Sequence, residues 1–324
     1  MSSPAPANPD ATRGGTLGTN RGSTIRLGAV SRWYGNVVAV NDVSFDIGPG
    51  LTGLLGPNGA GKTTILHMVA GFLAPSTGEV TLDGTPTWGH PELYRRIGLV
   101  PEREAIYAFL TGRDFVRASA ELHRLTDAAA ATERALRTVD LVAAADRPIG
   151  TYSKGMRQRI KVAAAFVHDP PVLILDEPFN GMDPRQRLQT MSLLRRMAAE
   201  GRTILFSSHI LEEVERLAER VLVIVGGRLA ASGDFRQIRR LMIDRPHTFS
   251  LRSSDDRALA AAVLGAGLVS AAELVDGSLT VRTDEFGAFA RLLPGAARQA
   301  GVTLYEVIPA DESLESVFSY LVAR

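Results

Sequence analysis

Residues 56–64 read GPNGAGKTT, and this stretch constrains the chain more than any other. Gly56, four further residues and then Gly61-Lys62-Thr63 make a G-x-x-x-x-G-K-T loop. Its context fits. GLTGLLG before it reads as a short apolar strand, and TTILHMVAGF after it has helical apolar spacing that closes at Gly71. A loop poor in side chains can curl around phosphate oxygens and aim its N–H groups inward. Gly56, Pro57, Asn58, Gly59, Ala60, Gly61, Lys62, Thr63 and Thr64 are therefore the candidate nucleotide-binding residues. Lys62 places a positive charge near the β and γ phosphates, and the Thr63 hydroxyl is a candidate Mg²⁺ ligand. The helix beginning there adds its positive dipole end.

Two later strands end on chemistry. PVLILDEP reads as a buried parallel strand whose carboxyl end, where ligands bind in such sheets, delivers Asp176 and Glu177. Asp176 is expected to hold Mg²⁺ directly or through water. Glu177, one residue on, points elsewhere and can polarise an attacking water. RTILFSS is a second such strand, and it delivers His209 toward the γ phosphate. Strands alternating with helices give an α/β core with a parallel sheet.

The rest of the chain divides around that core. Residues 1–23, rich in Pro, Gly, Ser and Asn, read as a disordered lead-in. Residues 24–233 read as the α/β domain that holds the loop, opening with two strands around a turn at Gly35-Asn36 and including an Ala-rich helical reading over 110–145. A linker covers 234–245, and an accessory domain follows over 246–324. Its order is β-α-β-β-α-β, the ferredoxin-like arrangement of a small α+β domain. Pro294 predicts a break or kink in the second of those helices. A last helix carries Leu314, Val317, Phe318 and Leu321 on one face. This tail shows no catalytic cluster; it reads as a packing or dimer-supporting module, with ligand sensing as the alternative.

Composition narrows the partners. The chain has 324 residues, with Lys plus Arg at 36 against Asp plus Glu at 35. A net charge of +1 makes no electrostatic case for nucleic acid or anionic lipid. With no cysteine, disulfides, thiolate zinc sites and Cys nucleophiles are excluded. No segment reaches the roughly 20 apolar residues that span a bilayer, so work at a membrane requires another chain to hold this one there.

Taken together, residues 24–232 resemble the ATP-binding subunit of an ABC transporter, a P-loop NTPase cassette with a mixed sheet and a helical subdomain. GPNGAGKTT is similar to the Walker A loop and LILDEP to Walker B, with Glu177 as the catalytic carboxylate. Tyr34 in RWYGNVVAV stands where the family stacks an aromatic on adenine. Glu102 in VPERE stands at the Q-loop, Asp183 in NGMDP at the D-loop and Ser208-His209 at the switch histidine. TYSKGMRQR lies at the signature position, where the family's common form is Leu-Ser-Gly-Gly-Gln. Ser153 and Gly155 are kept, whereas Tyr152, Lys154 and Met156 depart. Ser153 can cap the following helix and offer its hydroxyl to phosphate, and Gly155 lets backbone N–H approach closely. Lys154, Arg157, Arg159 and Lys161 read as a solvated basic run.

The resemblance implies that Ser153 and Gly155 meet the γ phosphate bound by a second subunit, in a homodimer closed around two ATP. An integral-membrane permease would then turn hydrolysis into export from the cytoplasmic face. At the Q-loop, Glu102 replaces Gln and is expected to join the Mg²⁺ site and increase the dependence on that ion. The YSKGM form and SLESVF at 313–318 resemble an exporter group whose permease is a separate chain. The rival class is a soluble ABC-type ATPase acting on nucleic acid or ribosomes. The single cassette, the absence of cysteine and the balanced charge count against it.

Overall fold

A computed structural model describes residues 22–103, 106–234, 247–275 and 278–309. The lead-in up to residue 21, nearly all of the linker, the turn at 276–277 and the last amphipathic stretch lie outside the described residues.

The chain runs β1 (Ile25–Tyr34), β2 (Val37–Ile47), β3 (Gly50–Leu55), α1 (Lys62–Val69), β4 (Thr77–Leu82), β5 (Thr85–Pro86), β6 (Ile97–Val100), α2 (Gly112–Leu122), α3 (Ala128–Thr138), α4 (Lys154–Phe166), β7 (Val172–Leu175), α5 (Pro184–Ala199), β8 (Thr203–Ser208), α6 (Leu211–Leu217), β9 (Arg220–Val225) and β10 (Arg228–Gly233). It resumes with β11 (His247–Ser253), α7 (Asp256–Gly265), β12 (Ala271–Val275), β13 (Ser278–Thr283), α8 (Phe286–Gln299) and β14 (Leu304–Pro309).

A six-stranded sheet in the order β10-β9-β3-β8-β7-β6 carries the cassette. All its neighbours are parallel except β10, which returns antiparallel on β9. A parallel sheet needs both faces covered, and the two-residue period of the strands supplies that. Leu51, Leu55, Leu173, Leu175, Ile204 and Phe206 face one core, shared with α2 to α6. Leu54, Val172, Ile174, Leu205, Leu222 and Ile224 face the other. That second core is closed by α1 and by an antiparallel sheet in the order β2-β1-β4-β5.

The helical reading over 110–145 resolves into two helices. Thr111 caps α2 by accepting from Asp114 N, and Asp127 caps α3 by accepting from Ala130 N. Between them Arg124 takes φ 55°, which a continuous helix forbids.

The basic run of α4 is not uniformly solvated, contrary to the sequence expectation. Lys154 is exposed, but Lys161 is 4% exposed and Arg159 bonds the carbonyl of Val139 at 2.9 Å. The apolar residues flanking Lys161 anchor α4 and carry the lysine inward with them. Pro294 does not break its helix either: α8 runs unbroken from Phe286 to Gln299. Pro294 and Ala290 both lie on the exposed side, where water can serve the carbonyl that proline leaves without an N–H.

Beyond residue 246, β11 to β14 form an antiparallel sheet in the order β12-β13-β11-β14, with a separate core built by Phe249, Leu251, Leu259, Val281, Phe289 and Leu293.

In the cassette, the end of α2 meets the turn after α4 through His123 and His168, whose rings stack at 3.5 Å between centroids and 8° between planes. Burial first, and then the neighbouring His123, pushes the His168 imidazole down to about 4. Burial, and then Arg95, also lowers His123. Asp169 and the backbone at Ile97 act on His168 in the opposite direction. A depressed imidazole means that the unfolded chain binds the proton more readily, so its stability is complete above about pH 6.5 and is lost as pH falls toward 4. Chemical denaturation should therefore show the cassette losing roughly 2 kcal/mol between pH 7 and pH 5. His168→Phe should flatten that slope.

Candidate nucleotide-binding site

Four neighbouring strands of the parallel sheet end at one edge. There β3 runs into the glycine loop, β8 ends on Ser207 and Ser208 before His209, β7 hands over to Asp176 and Glu177, and β6 hands over to Pro101 and Glu102. The registers Leu55 with Ser208, Leu175 with Phe206 and Val100 with Leu175 bring these ends level. Among the described residues, a cavity of about 390 Å³ at this edge is walled by Ala39, Asn58, Gly59, Ala60, Gly61, Lys62, Thr63, Thr64, Glu102, Asp176 and Glu177. A larger one, about 500 Å³, lies between Phe72, Tyr94, Phe115 and the stacked histidines and shares none of those walls.

Two of the loop glycines are required by the protein's own backbone. A Cβ at Gly56 would lie 2.4 Å from Ile224 O, and one at Gly61, where φ is +101°, would lie 2.4 Å from Ala39 O. The loop is thus pressed between β9 and β2, and its curvature is fixed before any phosphate arrives. No side chain caps α1, which leaves its first-turn N–H groups available to an anion. Lys62 is 6% exposed and donates from Nζ to Gly56 O (2.8 Å) and Pro57 O (3.2 Å). Its Nζ also lies 3.7 Å from Glu177 Oε1.

Asp176 is the centre of the polar network. Its carboxylate accepts from Thr63 Oγ1 (2.7 Å) and Ser207 Oγ (2.5 Å), and its own N–H donates to Val100 O (2.8 Å). Ser207 Oγ in turn accepts from Glu177 N at 2.9 Å. Glu177 adopts φ 48°, a left-handed conformation that costs a residue of this kind about 1–3 kcal/mol. That turn swings its side chain away from Asp176, toward Lys62 and toward His209, whose Nδ1 donates to Glu177 Oε2 at 2.9 Å. Ser208 Oγ donates to Glu213 Oε2 (2.7 Å) and accepts from Ile210 N (3.0 Å), which fixes the turn carrying His209. Burial raises the Glu213 carboxyl, opposed by the Ser208 bond and by Arg187.

Thr63 and Asp176 offer a hydroxyl and a carboxylate oxygen in contact, and Glu102 is a further wall residue of the same cavity. Mg²⁺ is held by one or two carboxylates together with substrate phosphates, so this donor set fits it.

Other expected residues stand off this wall. Tyr34 is exposed at the end of the β1–β2 hairpin, with the Arg32 guanidinium 4.9 Å from its ring centre. Ser153 caps α4 by accepting from Met156 N (3.2 Å), and Gly155 is buried beneath the Gln186 side chain. Asp183 caps α5 by accepting from Gln186 N (2.8 Å). The structure therefore places Gly155 against the start of α5, and neither Ser153 nor Gly155 walls the cavity of their own chain. Sequence reasoning missed Ser207. The doubled serine that ends the apolar RTILF strand was the available signal, since a buried hydroxyl beside a neighbouring strand's carboxylate needs a partner.

This fold and this site define a phosphate-loop ATPase built on a parallel sheet. The ABC transporter family pattern matches residues 40–180. A Nod factor export ATP-binding protein I of Rhizobium leguminosarum bv. viciae is 39% identical over 213 residues, 64% of this chain and 68% of that protein. ATP-binding cassette sub-family A member 7 of Rattus norvegicus is 36% identical over 248 residues, 75% of this chain and 11% of that protein. Among solved structures, an ATP-binding subunit of an ABC transporter superposes with a TM-score of 0.61 at 31% identity, over 67% of this chain and 92% of that one. A bacterial ABC transporter cassette solved as a dimer shares the fold, with TM-score 0.61 and 24% identity over 65% of this chain and 98% of that one. The chain belongs to the ABC transporter family as an ATP-binding, ATP-hydrolysing subunit.

Removing the Ser207 hydroxyl leaves a buried carboxylate oxygen and the Glu177 N–H short of a partner, at about 1–3 kcal/mol. Ser207→Ala should lower kcat by about tenfold while ATP affinity changes less than about threefold, and Ser207→Thr should retain most of the rate. Steady-state ATPase assays beside fluorescent-nucleotide titrations separate the two quantities.

Proposed function

We propose that two copies of this chain close around two ATP molecules and drive export through an integral-membrane permease held in another chain. The observation that carries the reading is the placement of Ser153 and Gly155. They stand at a capped helix N-terminus, an anion-seeking position, yet they do not wall their own chain's cavity. A facing copy supplies the phosphate they would meet.

Within one pocket, Tyr34 stacks on adenine and the backbone of Gly56, Pro57, Asn58, Gly59, Ala60, Gly61 and Thr64 cradles the phosphates. Lys62 leaves its carbonyl partners for the β and γ oxygens. Thr63, Asp176 and Glu102 hold Mg²⁺, which when bound neutralises phosphate charge. Glu177 polarises the attacking water, and its contact with His209 orients the carboxylate and keeps the histidine facing the γ phosphate. Closure is favoured only while that phosphate is present, so hydrolysis reopens the pair.

The export direction is supported by relatives bearing the name Nod factor export. Among the described residues no helix is long and apolar enough to cross a membrane, which fits a subunit bound at the cytoplasmic face by its permease. Residues 24–233 form the cassette and 246–324 an accessory domain. For the latter the strand order β12-β13-β11-β14, with α7 and α8, supports a ferredoxin-like βαββαβ unit, read as a dimer-supporting module.

Mixing two inactive variants tests the shared pocket. Lys62→Ala and Ser153→Arg each disable both pockets of their own homodimer. A mixed dimer regains one intact pocket, so random mixing should restore about a quarter of the wild-type ATPase rate. No restoration would mean that each chain works alone. Affinity purification of the full chain from detergent-solubilised host membranes should bring down a polytopic protein. Co-sedimentation with ribosomes in its place would overturn the transport reading.

A further inference from the structure

The buried lysine of α4 is not absorbed by the site described above. Lys161 is 4% exposed, and an ammonium is sustained away from water only by strong hydrogen bonds. Its Nζ donates to Pro101 O (2.8 Å) and Glu102 O (3.4 Å), the two residues that follow β6. A second contact ties the same helix face to the same strand. Ala165, one turn further along α4, lies so close to Gly98 of β6 that a Cβ on that glycine would fall 2.1 Å from Ala165 O. The helix α4 therefore grips β6 and its exit at two successive turns. Glu102 then walls the phosphate cavity beside Thr63 and Asp176. At the other end of α4, eight residues or about 12 Å away, stands Ser153.

We infer that Lys161 is the positioning residue of Glu102: its ammonium anchors the Glu102 backbone so that the carboxylate is presented to the metal side of the phosphate cavity, and the position of Glu102 follows that of α4. A bare hydrophobic residue at 161 would fill the space but leave two carbonyls without a donor and the loop without its anchor. A lysine serves where a shorter donor would not, because its four-carbon stem packs along the apolar wall of α4 while the ammonium reaches the loop. The proposal deepens the reading of Glu102 as part of the Mg²⁺ site and rests on it.

The test reads binding and needs no turnover. Wild type, Lys161→Met, Glu102→Gln and the double variant are titrated with Mg²⁺ at fixed fluorescent ATP analogue, and nucleotide affinity is also taken in chelator without Mg²⁺. Far-UV circular dichroism and thermal melts confirm that each variant is folded. Lys161→Met should raise the half-saturating Mg²⁺ concentration threefold or more, with metal-free nucleotide affinity within twofold. Glu102→Gln should produce a shift of similar size, and the double variant should show no further shift beyond Glu102→Gln. Should Lys161→Met not fold, Lys161→Gln, whose shorter side chain puts a neutral amide in place of the ammonium, is read the same way.

Equal Lys161→Met shifts in the presence and absence of Glu102 would overturn the proposal. So would an unchanged Mg²⁺ response, or a loss of metal-free affinity as large as the Mg²⁺ shift. A silent Glu102→Gln would instead remove Glu102 from the metal site, and the role of Lys161 would fall with it. Neither result bears on the mixing experiment for the shared pocket, so the two readings fail separately.

Discussion

The buried carboxylate of Asp176 is the constraint on which the rest depends. A carboxylate 2% exposed is tolerable only if its oxygens are bonded, and its two partners come from different strand ends: Thr63 from beyond β3 and Ser207 from β8. Those bonds form only when β3, β8 and β7 lie parallel and level. Parallel alignment in turn requires that both sheet faces be covered, which the alternating Leu, Ile and Val residues achieve with two separate cores. Packing and chemistry are therefore one arrangement here. Losing register by a single residue would turn each strand's residues for one core into the other and separate Asp176 from both hydroxyls.

Around that centre the protein stores cost in order to hold geometry. Lys62 is a buried ammonium held by loop carbonyls, and Glu177 sits in a left-handed conformation. Each is maintained by neighbours that cannot yield: the loop is wedged between Ile224 O and Ala39 O, and the Glu177 N–H is bound by Ser207. Such features concentrate where function needs a group in place before the ligand arrives.

The departures from the family's common signature also have local causes. Tyr152 is buried, and its hydroxyl donates to Ala144 O at 2.6 Å, so the aromatic ring ties the turn before α4 to the end of the α3 region. The Lys154 stem lies against Gly181, whose φ of +74° and missing side chain leave room for it. Gly155 is kept because Gln186 of α5 occupies the space above it. The helix that begins with Ser153 is thereby fixed by the segments leading into α5 as well as by its own apolar face. Nothing in the structure explains Met156 beyond its packing on the larger core.

The sequence by itself determined the phosphate loop, the two acidic strand ends, the serine-capped helix and the order of elements. These rest on local chemistry: glycine spacing, two-residue and helical periodicities, and caps that act within three residues. It also carried the misreadings, and they share a cause. The break expected at Pro294 and the solvated basic run were read from single residue types, while the outcome depended on which side of the helix met the core. Only the tertiary structure decided that Ser207 bridges Asp176 and Glu177, that Lys161 turns inward to the Glu102 backbone and that His123 stacks on His168. Each of those contacts joins residues 30 to 60 positions apart, and none has a periodic signature. A contact between distant segments exists only once the sheet has set its register, and a single chain position carries no record of which neighbour the register will bring.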